Sequence, residues 1–533
     1  MSARPARPGP RTGRRRWAQA EAAVLGSTWA RLLGAAVLAL VVAAWQPPRM
    51  LPESLEMLST GRCMLGLHSA APPCADLAGT FWSPLFPLLA GALSVLLPLP
   101  VAGGLVALAA WVGLVLGAGA LGQRLTDDRG AWAAALLVGL TPGVAAYAML
   151  ADSRGLGLAL GAWAAALAVD GARPAASPWR AAGAGLLAGL AALARPEHVV
   201  LVGAVTLLSA TGGLRPAART LGAALLPLLP SWLALSWASG RPTLLPRSGQ
   251  AIGLALVSVI PERWARQLVG EGAWLLPLRR AVAAGPWPAD VGATLHPQPL
   301  AGLVWLADQA TDLVPAWIWL LALAGLVLAL VDRRGRAALA LLALATPGVA
   351  AVASSRGRVA LLPLASLLPV VVAALVLGAA ALARLAGRAA ERLPSPAGPP
   401  LALASLGLVA GLLALTGPRL DFPDTPENAD SGRAAASALA LALPPGSPVV
   451  ASFEASPLVH MAGMRWVPWP SPWEPWRWPD PQTGPAMAIL TPADGDWLPA
   501  PPWVPAGLHL RPVGAYGTDG TAVVLLSVEP ARP

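Results

Sequence analysis

Tyr147-Ala148-Met149-Leu150-Ala151-Asp152-Ser153-Arg154-Gly155 is the stretch on which the fold turns. A long apolar run ends at Ala148. An acid and a base follow, and a second apolar run opens at Gly155. A carboxylate at the mouth of two membrane helices is costly without a partner or a task. Asp152 is therefore the first functional candidate. The plainer alternative is an interfacial Asp paired with Arg154.

The same alternation runs through the chain. Of 533 residues, 56% are hydrophobic and 12% charged, against about 25% charged in soluble domains. Many apolar runs approach the roughly 20 residues that cross a bilayer. The expected fold class is an all-α polytopic membrane protein with about 11 transmembrane helices. The net charge of +10 comes from Arg alone. These Arg residues sit in short loops between apolar runs, which signals topology rather than nucleic-acid binding. The Arg4 to Arg16 run leads into a span ending at Trp45, with no cleavage motif between them, so no cleavable signal peptide is expected.

Residues 1–27 are expected to form a disordered, basic cytoplasmic tail. The membrane part then covers 28–417. Its spans are placed at 28–45, 101–122, 131–148, 156–169, 181–194 and 199–210, then at 220–238, 314–331, 337–353, 359–383 and 401–415. The first outer loop, 46–100, carries an apolar run that is read as an interfacial or re-entrant helix. Counting it as a span would reverse every later loop and place Arg333, Arg334 and Arg336 outside, against the positive-inside rule. A long outer loop covers 239–312. Residues 418–533 are too polar and Pro-rich to span, and read as a small α/β domain outside the membrane: an Ala/Leu helix at 432–443 and β-like runs at 449–453, 488–490 and 522–526. Trp466, Trp469, Trp473, Trp476 and Trp478 fall between those runs.

This topology gathers the unusual residues on the outer face. Asp152, Arg154, Arg195, Glu197, His198, Arg356 and Arg358 all fall at helix ends there, and Glu53 and Glu56 lie in the first loop. Arg on the outer side runs against the positive-inside bias. An anionic ligand at the surface supplies a reason, because Arg grips phosphate bidentately. A carboxylate among such Arg residues stays ionised and can act as a base. Headgroup anchoring is the alternative for any one of these Arg residues. Cys63 and Cys74 share the first outer loop, where an oxidising compartment would favour a disulfide over two separate thiols. No metal-ligand cluster with zinc spacing is visible, and no cofactor is expected, with a divalent metal left open.

The arrangement resembles the GT-C superfamily of polytopic glycosyltransferases, including its aminoarabinose transferase and protein O-mannosyltransferase branch. Trp45-Gln46-Pro47 and Glu56-Met57-Leu58-Ser59-Thr60-Gly61 resemble the start of the family's first outer loop. Ser83-Pro84-Leu85-Phe86-Pro87 resembles its surface helix. The segment 147–152 resembles the one bearing its second outer-loop acid. Arg195-Pro196-Glu197 resembles a recurrent turn, and Arg356-Gly357-Arg358 with Leu361-Leu362-Pro363 the turn before a late helix. The resemblance implies transfer of a sugar from a polyprenyl-phosphate donor to a lipid, glycan or protein acceptor at the outer face of the bacterial inner membrane, with the N-terminus cytoplasmic. It implies that Asp152 and Glu53 orient or deprotonate the acceptor hydroxyl. It implies that Arg195, Arg356 and Arg358 hold the phosphate, with Arg154, Glu197 and His198 lining the substrate site. One departure stands out: Pro48 or Arg49 falls where the family carries its first-loop Asp, and Glu53 is the nearest acid. A degenerate, non-catalytic relative or a transporter is the alternative function. A transporter would carry its polar residues near mid-membrane in paired halves, whereas here they collect at one face.

Overall fold

The computed structural model describes residues 28–45, 48, 52–67, 83–173, 176–239, 313–331, 334–354, 367–392, 407, 409, 411, 430–451, 458–459, 462–468, 487–490, 508–516 and 523–530. The membrane part begins with α1 (Thr28–Trp45), α2 (Pro52–Met64), α3 (Leu85–Leu93) and α4 (Leu99–Leu125). It continues with α5 (Asp128–Gly139), α6 (Pro142–Ala148), α7 (Ser153–Gly171), α8 (Pro178–Ala194), α9 (Val199–Ala210) and α10 (Leu214–Ser239). It closes with α11 (Ala316–Val331), α12 (Gly335–Ser354) and α13 (Leu368–Arg392). Among the described residues, three helices are long and apolar enough to cross a membrane: Leu99–Leu125, Leu214–Trp237 and Leu368–Arg388. Shorter apolar helices accompany them.

One expected span changes shape. The run 131–148 is not one helix. It divides into α5 and α6, bent by 72°. Pro142 is the cause: it lacks an N–H and drives the preceding residue out of the helical region, and Thr141 sits at φ −83° and ψ 107°. Of the late span expected at 359–383, residues 367–383 are described, and α13 covers them from Leu368 on. The apolar run after Ser83 forms only the nine-residue α3, too short to cross. Of the last expected span, 401–415, only residues 407, 409 and 411 are described.

The helices pack as membrane helices do, through small residues and indole N–H groups. Gly185 and Gly189 of α8 face α10 so closely that a Cβ on either would lie 1.9 Å from the Thr220 carbonyl oxygen or 2.4 Å from that of Ala224. Trp111 of α4 donates to the Ala39 carbonyl of α1 at 3.2 Å. Trp163 of α7 donates to the Gly113 carbonyl of α4 at 2.9 Å. α2 and α3 cross at Gly61 and Gly91, where a Cβ on Gly61 would meet the Pro87 carbonyl oxygen at 1.8 Å. Both neighbours there are backbone, so nothing can swing aside. Gly61→Ala is expected to cost at least the roughly 1–3 kcal/mol of ordinary overpacking. Thermal unfolding in detergent checks this, and an unshifted midpoint would show that the crossing tolerates a methyl group.

The bundle has two chemically distinct ends. At one, Arg334 donates to the Thr126 carbonyl and Arg384 to the Leu125 carbonyl at 3.0 Å. Both cap the C-terminus of α4, where cations are favoured. Arg124 pairs there with Asp170, and Arg336 reaches the Thr211 carbonyl between α9 and α10 at 3.3 Å. The other end holds the start of α7, the turn after α8 and the start of α13. Met57 and Leu58 of α2, Phe86 and Ala90 of α3 and Val106 of α4 form a small core, with Leu156 of α7 packed against it.

In the tail, α14 (Asp430–Ala442) accompanies five strands: β1 (Pro448–Ala451), β2 (Arg465–Pro468), β3 (Met487–Leu490), β4 (Leu508–Tyr516) and β5 (Val523–Pro530). They form one sheet in the order β2-β1-β3-β5-β4. β1 runs parallel to β2 and β3, while β5 runs antiparallel to β3 and β4. Ala435 and Leu439 of α14 share a core with Val449, Ile489 and Leu525. Of the tail tryptophans, Trp466 lies in β2, and Trp469, Trp473, Trp476 and Trp478 lie outside the described residues.

Candidate functional site

Asp152 is the N-cap of α7. Its Oδ1 accepts the Arg154 backbone N–H at 2.7 Å, as Asp does at N-caps. Its Oδ2 lies 3.0 Å from Nη1 of the Arg154 side chain. The carboxylate is buried, with 1% of the side chain exposed. The acid thus fixes both the backbone and the guanidinium of the residue two positions on.

Arg154 in turn faces the turn that follows α8. Arg195 is the C-cap of α8, and its Nε donates to Glu197 Oε1. Pro196 opens a single 3-10 turn, Pro196–His198, which brings Glu197 and His198 round beside Arg195. Arg154, Arg195, Glu197 and His198 line one cleft together with Leu158 of α7. Its opposite wall is Pro347 of α12 with Leu368 and Pro369 at the start of α13. The space between them is about 20 Å³, room for about one water-sized group.

His198 is 3% exposed. Both its ring nitrogens are buried without a hydrogen-bond partner among the described residues. Gly157 makes this burial possible, since a Cβ there would lie 3.2 Å from the imidazole Cε1. The turn lies between the apolar helices. Burial holds the His198 imidazole down to about 4, against the pull of the Glu197 charge and with the help of Arg195. Burial pushes Glu197 up, yet the Arg195 and His198 charges and its hydrogen bonds outweigh this, and its carboxyl stays below the ordinary range. At neutral pH the cleft therefore presents two guanidiniums, one ionised carboxylate and one neutral imidazole.

The shift of His198 makes a pH prediction. Its folded value lies below the unfolded one, so the unfolded chain binds the proton first and stability falls as pH drops from about 6.5 toward 4. The loss is of order 3 kcal/mol. His198→Phe is expected to flatten that limb of the Tm–pH curve. An unchanged limb would place the titration elsewhere.

Of the residues expected at the site, the structure brings Arg154, Arg195, Glu197 and His198 into one cleft and sets Asp152 behind Arg154. Glu53 and Glu56 lie on α2, but their side chains are outside the described residues, as are Arg356 and Arg358. The expected Cys63–Cys74 pair also lies outside them: only the backbone of Cys63, in α2, is described. Sequence reasoning missed the wall formed by Leu158, Pro347, Leu368 and Pro369. A proline within an apolar run was its available signal. Among the described residues, no group of three or more His, Cys, Asp or Glu gathers in one place.

No protein-family model and no curated protein sequence matches the chain. Solved structures do. The apo structure of ArnT from Cupriavidus metallidurans aligns with TM-score 0.56 and 14% identity, over 93% of this chain and 98% of that one. ArnT from the same organism bound to undecaprenyl phosphate aligns with TM-score 0.52 and 13% identity, over 94% and 98%. The oligosaccharyltransferase of Archaeoglobus fulgidus, in complex with Zn and sulfate, aligns with TM-score 0.52 and 14% identity over 82% of this chain. The chain spans 62% of the length of that protein. The chain shares the fold of ArnT and of the archaeal oligosaccharyltransferase, as its sequence resemblance implied.

Proposed function

We propose that this protein is a membrane glycosyltransferase that takes a sugar from a polyprenyl-phosphate donor and passes it to an acceptor hydroxyl at the outer face. The observation that carries this reading is the cleft, where Arg154 and Arg195 converge at one end of the bundle with Glu197 and the imidazole of His198, which has no hydrogen-bond partner among the described residues. The undecaprenyl phosphate bound in the ArnT structure supports the choice of donor class.

In the reaction, the acceptor oxygen attacks the anomeric carbon. The bond from that carbon to the phosphate oxygen breaks, and the leaving phosphate takes the electron pair. Arg154 and Arg195 neutralise the charge that grows on it. Glu197 holds Arg195 in place, and Asp152 holds Arg154. His198, neutral, hydrogen-bonds a hydroxyl of the sugar or acceptor. Glu53, on the first-loop helix, receives the acceptor proton. Arg356 and Arg358 complete the donor site. The cleft holds about one water-sized group in this structure, so a donor enters by displacing the proline-bearing wall of Pro347 and Pro369.

The topology belongs to the same proposal. Eleven spans are set in a bacterial inner membrane with the N-terminus cytoplasmic, the Arg-rich end of the bundle inside and the cleft outside. The tail is an α/β domain on the outer side.

Native mass spectrometry of the purified protein with added undecaprenyl phosphate tests the reading. Retention of one copy under conditions that strip ordinary phospholipid is expected. Equal loss of both would move the weight to a non-catalytic role.

A further inference from the structure

A second cavity lies toward the opposite end of the bundle. Arg154 and Asp170 sit 16 residues apart on α7, so the two ends of that helix are roughly 24 Å apart. The cleft lies at the Arg154 end. The second cavity, of about 300 Å³, lies toward the Arg124–Asp170 end and is bounded by α1, α4, α5 and α7. Its size falls at the low end of small-molecule sites.

Small residues make its floor: Ala35, Gly119, Ala120, Ala131 and Ala135. Two indoles, Trp132 and Trp163, wall it. Trp163 is spoken for, since its N–H donates to the Gly113 carbonyl. Trp132 is not. Its ring is seated on Gly34 of α1, where a Cβ would lie 2.3 Å from Cη2. Its Nε1 is buried without a hydrogen-bond partner among the described residues. Gln123 and Arg124 line the polar end. Arg124 spends one terminal nitrogen on the Ala120 carbonyl and the other on Asp170, and its Nε is likewise buried without a partner. Two residues lining one cavity thus each carry a buried N–H that lacks an acceptor among the described residues, and a buried unsatisfied donor costs about 1–3 kcal/mol. Arg124 is the one charged residue among those lining the cavity, and Gln123 beside it donates to Asp128 at 2.9 Å.

We propose that this cavity binds one anionic phospholipid of the leaflet opposite the cleft. One acyl chain lies between Trp132 and Trp163, and an ester or phosphate oxygen takes the N–H groups of Trp132 and Arg124. The Arg124 guanidinium at the polar end favours an anionic headgroup over a zwitterionic one. The donor of the proposed reaction is a different ligand at the other end of the bundle, so this site stands or falls independently of that reading.

The test uses the full chain in mild detergent, loaded with phosphatidylglycerol or with phosphatidylcholine of identical acyl chains and followed by native mass spectrometry. The last phosphatidylglycerol to leave is expected to survive activation that strips phosphatidylcholine. Ala120→Phe, which fills the floor, is expected to lower its occupancy at least tenfold. Trp132→Phe keeps the ring and removes the N–H, and is expected to cut the preference for phosphatidylglycerol at least threefold. Equal retention of the two lipids by the wild type would overturn the proposal, as would full occupancy in a folded Ala120→Phe variant. If Ala120→Phe does not fold, Ala120→Leu and Trp132→Phe decide the matter by the same readings. Displacement of the retained lipid by undecaprenyl phosphate would overturn the choice of occupant.

Discussion

Arg195→Ala is expected to lower sugar transfer by about 10²–10³-fold, the usual loss when one donor to a developing oxyanion is removed. The geometry concentrates the effect in this residue. Arg195 caps α8, so its backbone is set by a helix end, and Glu197 fixes its guanidinium two residues on. A guanidinium carries five N–H donors, and Arg195 lines the cleft, where such a fork can grip a phosphate. Arg195→Lys is expected to fall between wild type and Ala, because an ammonium is a point charge that cannot form the same fork. Retention of added undecaprenyl phosphate should fall in step with transfer, since the same contact holds donor and leaving group. Wild-type turnover by Arg195→Ala would remove the cleft from the reaction. Lost transfer with full donor retention would instead assign Arg195 to the transition state alone.

The legibility of this protein was uneven for identifiable physical reasons. Apolar runs separated by Arg-bearing turns are strong signals, so most helices of the bundle fall close to their expected positions. Pro142 broke one of them. A single proline in an Ala-rich run leaves composition almost unchanged while removing a hydrogen bond and steering Thr141 extended. In the tail the missed strands were the two at the sheet's edges, β2 and β4. β4 carries Pro512 and Gly514 at an irregular register, and β2 ends in Pro468. Proline at an edge is tolerated because one side of that strand needs no ladder hydrogen bond, but it hides the strand from a reading of periodicity. At the site, the turn residues were visible because charge at a helix mouth is conspicuous. The far wall was not, because Leu158, Pro347, Leu368 and Pro369 converge only through packing of α7, α12 and α13. Arg124–Asp170 escaped notice for a related reason: Asp170 is an isolated acid at the end of an apolar run, and only the fold brings the end of α4 to it.

Asp152→Asn is expected to separate a structural acid from a functional one. Asn is as good an N-cap as Asp, so the bond from the Arg154 backbone N–H survives and α7 keeps its start. What disappears is the negative charge against the Arg154 guanidinium, in a place where only 10% of that side chain is exposed. The expected cost to stability is about 1–3 kcal/mol, and the protein still folds. Transfer is expected to fall about 10²-fold, because Arg154 loses the group that aims it into the cleft. Asp152→Ala should do worse on both counts. It leaves the same guanidinium without its acid and also removes the cap, for about 1 kcal/mol more. The pair of variants therefore reads out the role directly. If Asp152→Asn folds and turns over like wild type, the acid is a helix cap and nothing more. If it folds but fails to transfer, and retention of undecaprenyl phosphate falls with it as it does for Arg195→Ala, Asp152 acts through Arg154 on the donor. A transfer loss with donor retention intact would instead put the carboxylate itself in contact with the acceptor, in the role of base that the sequence first suggested for it.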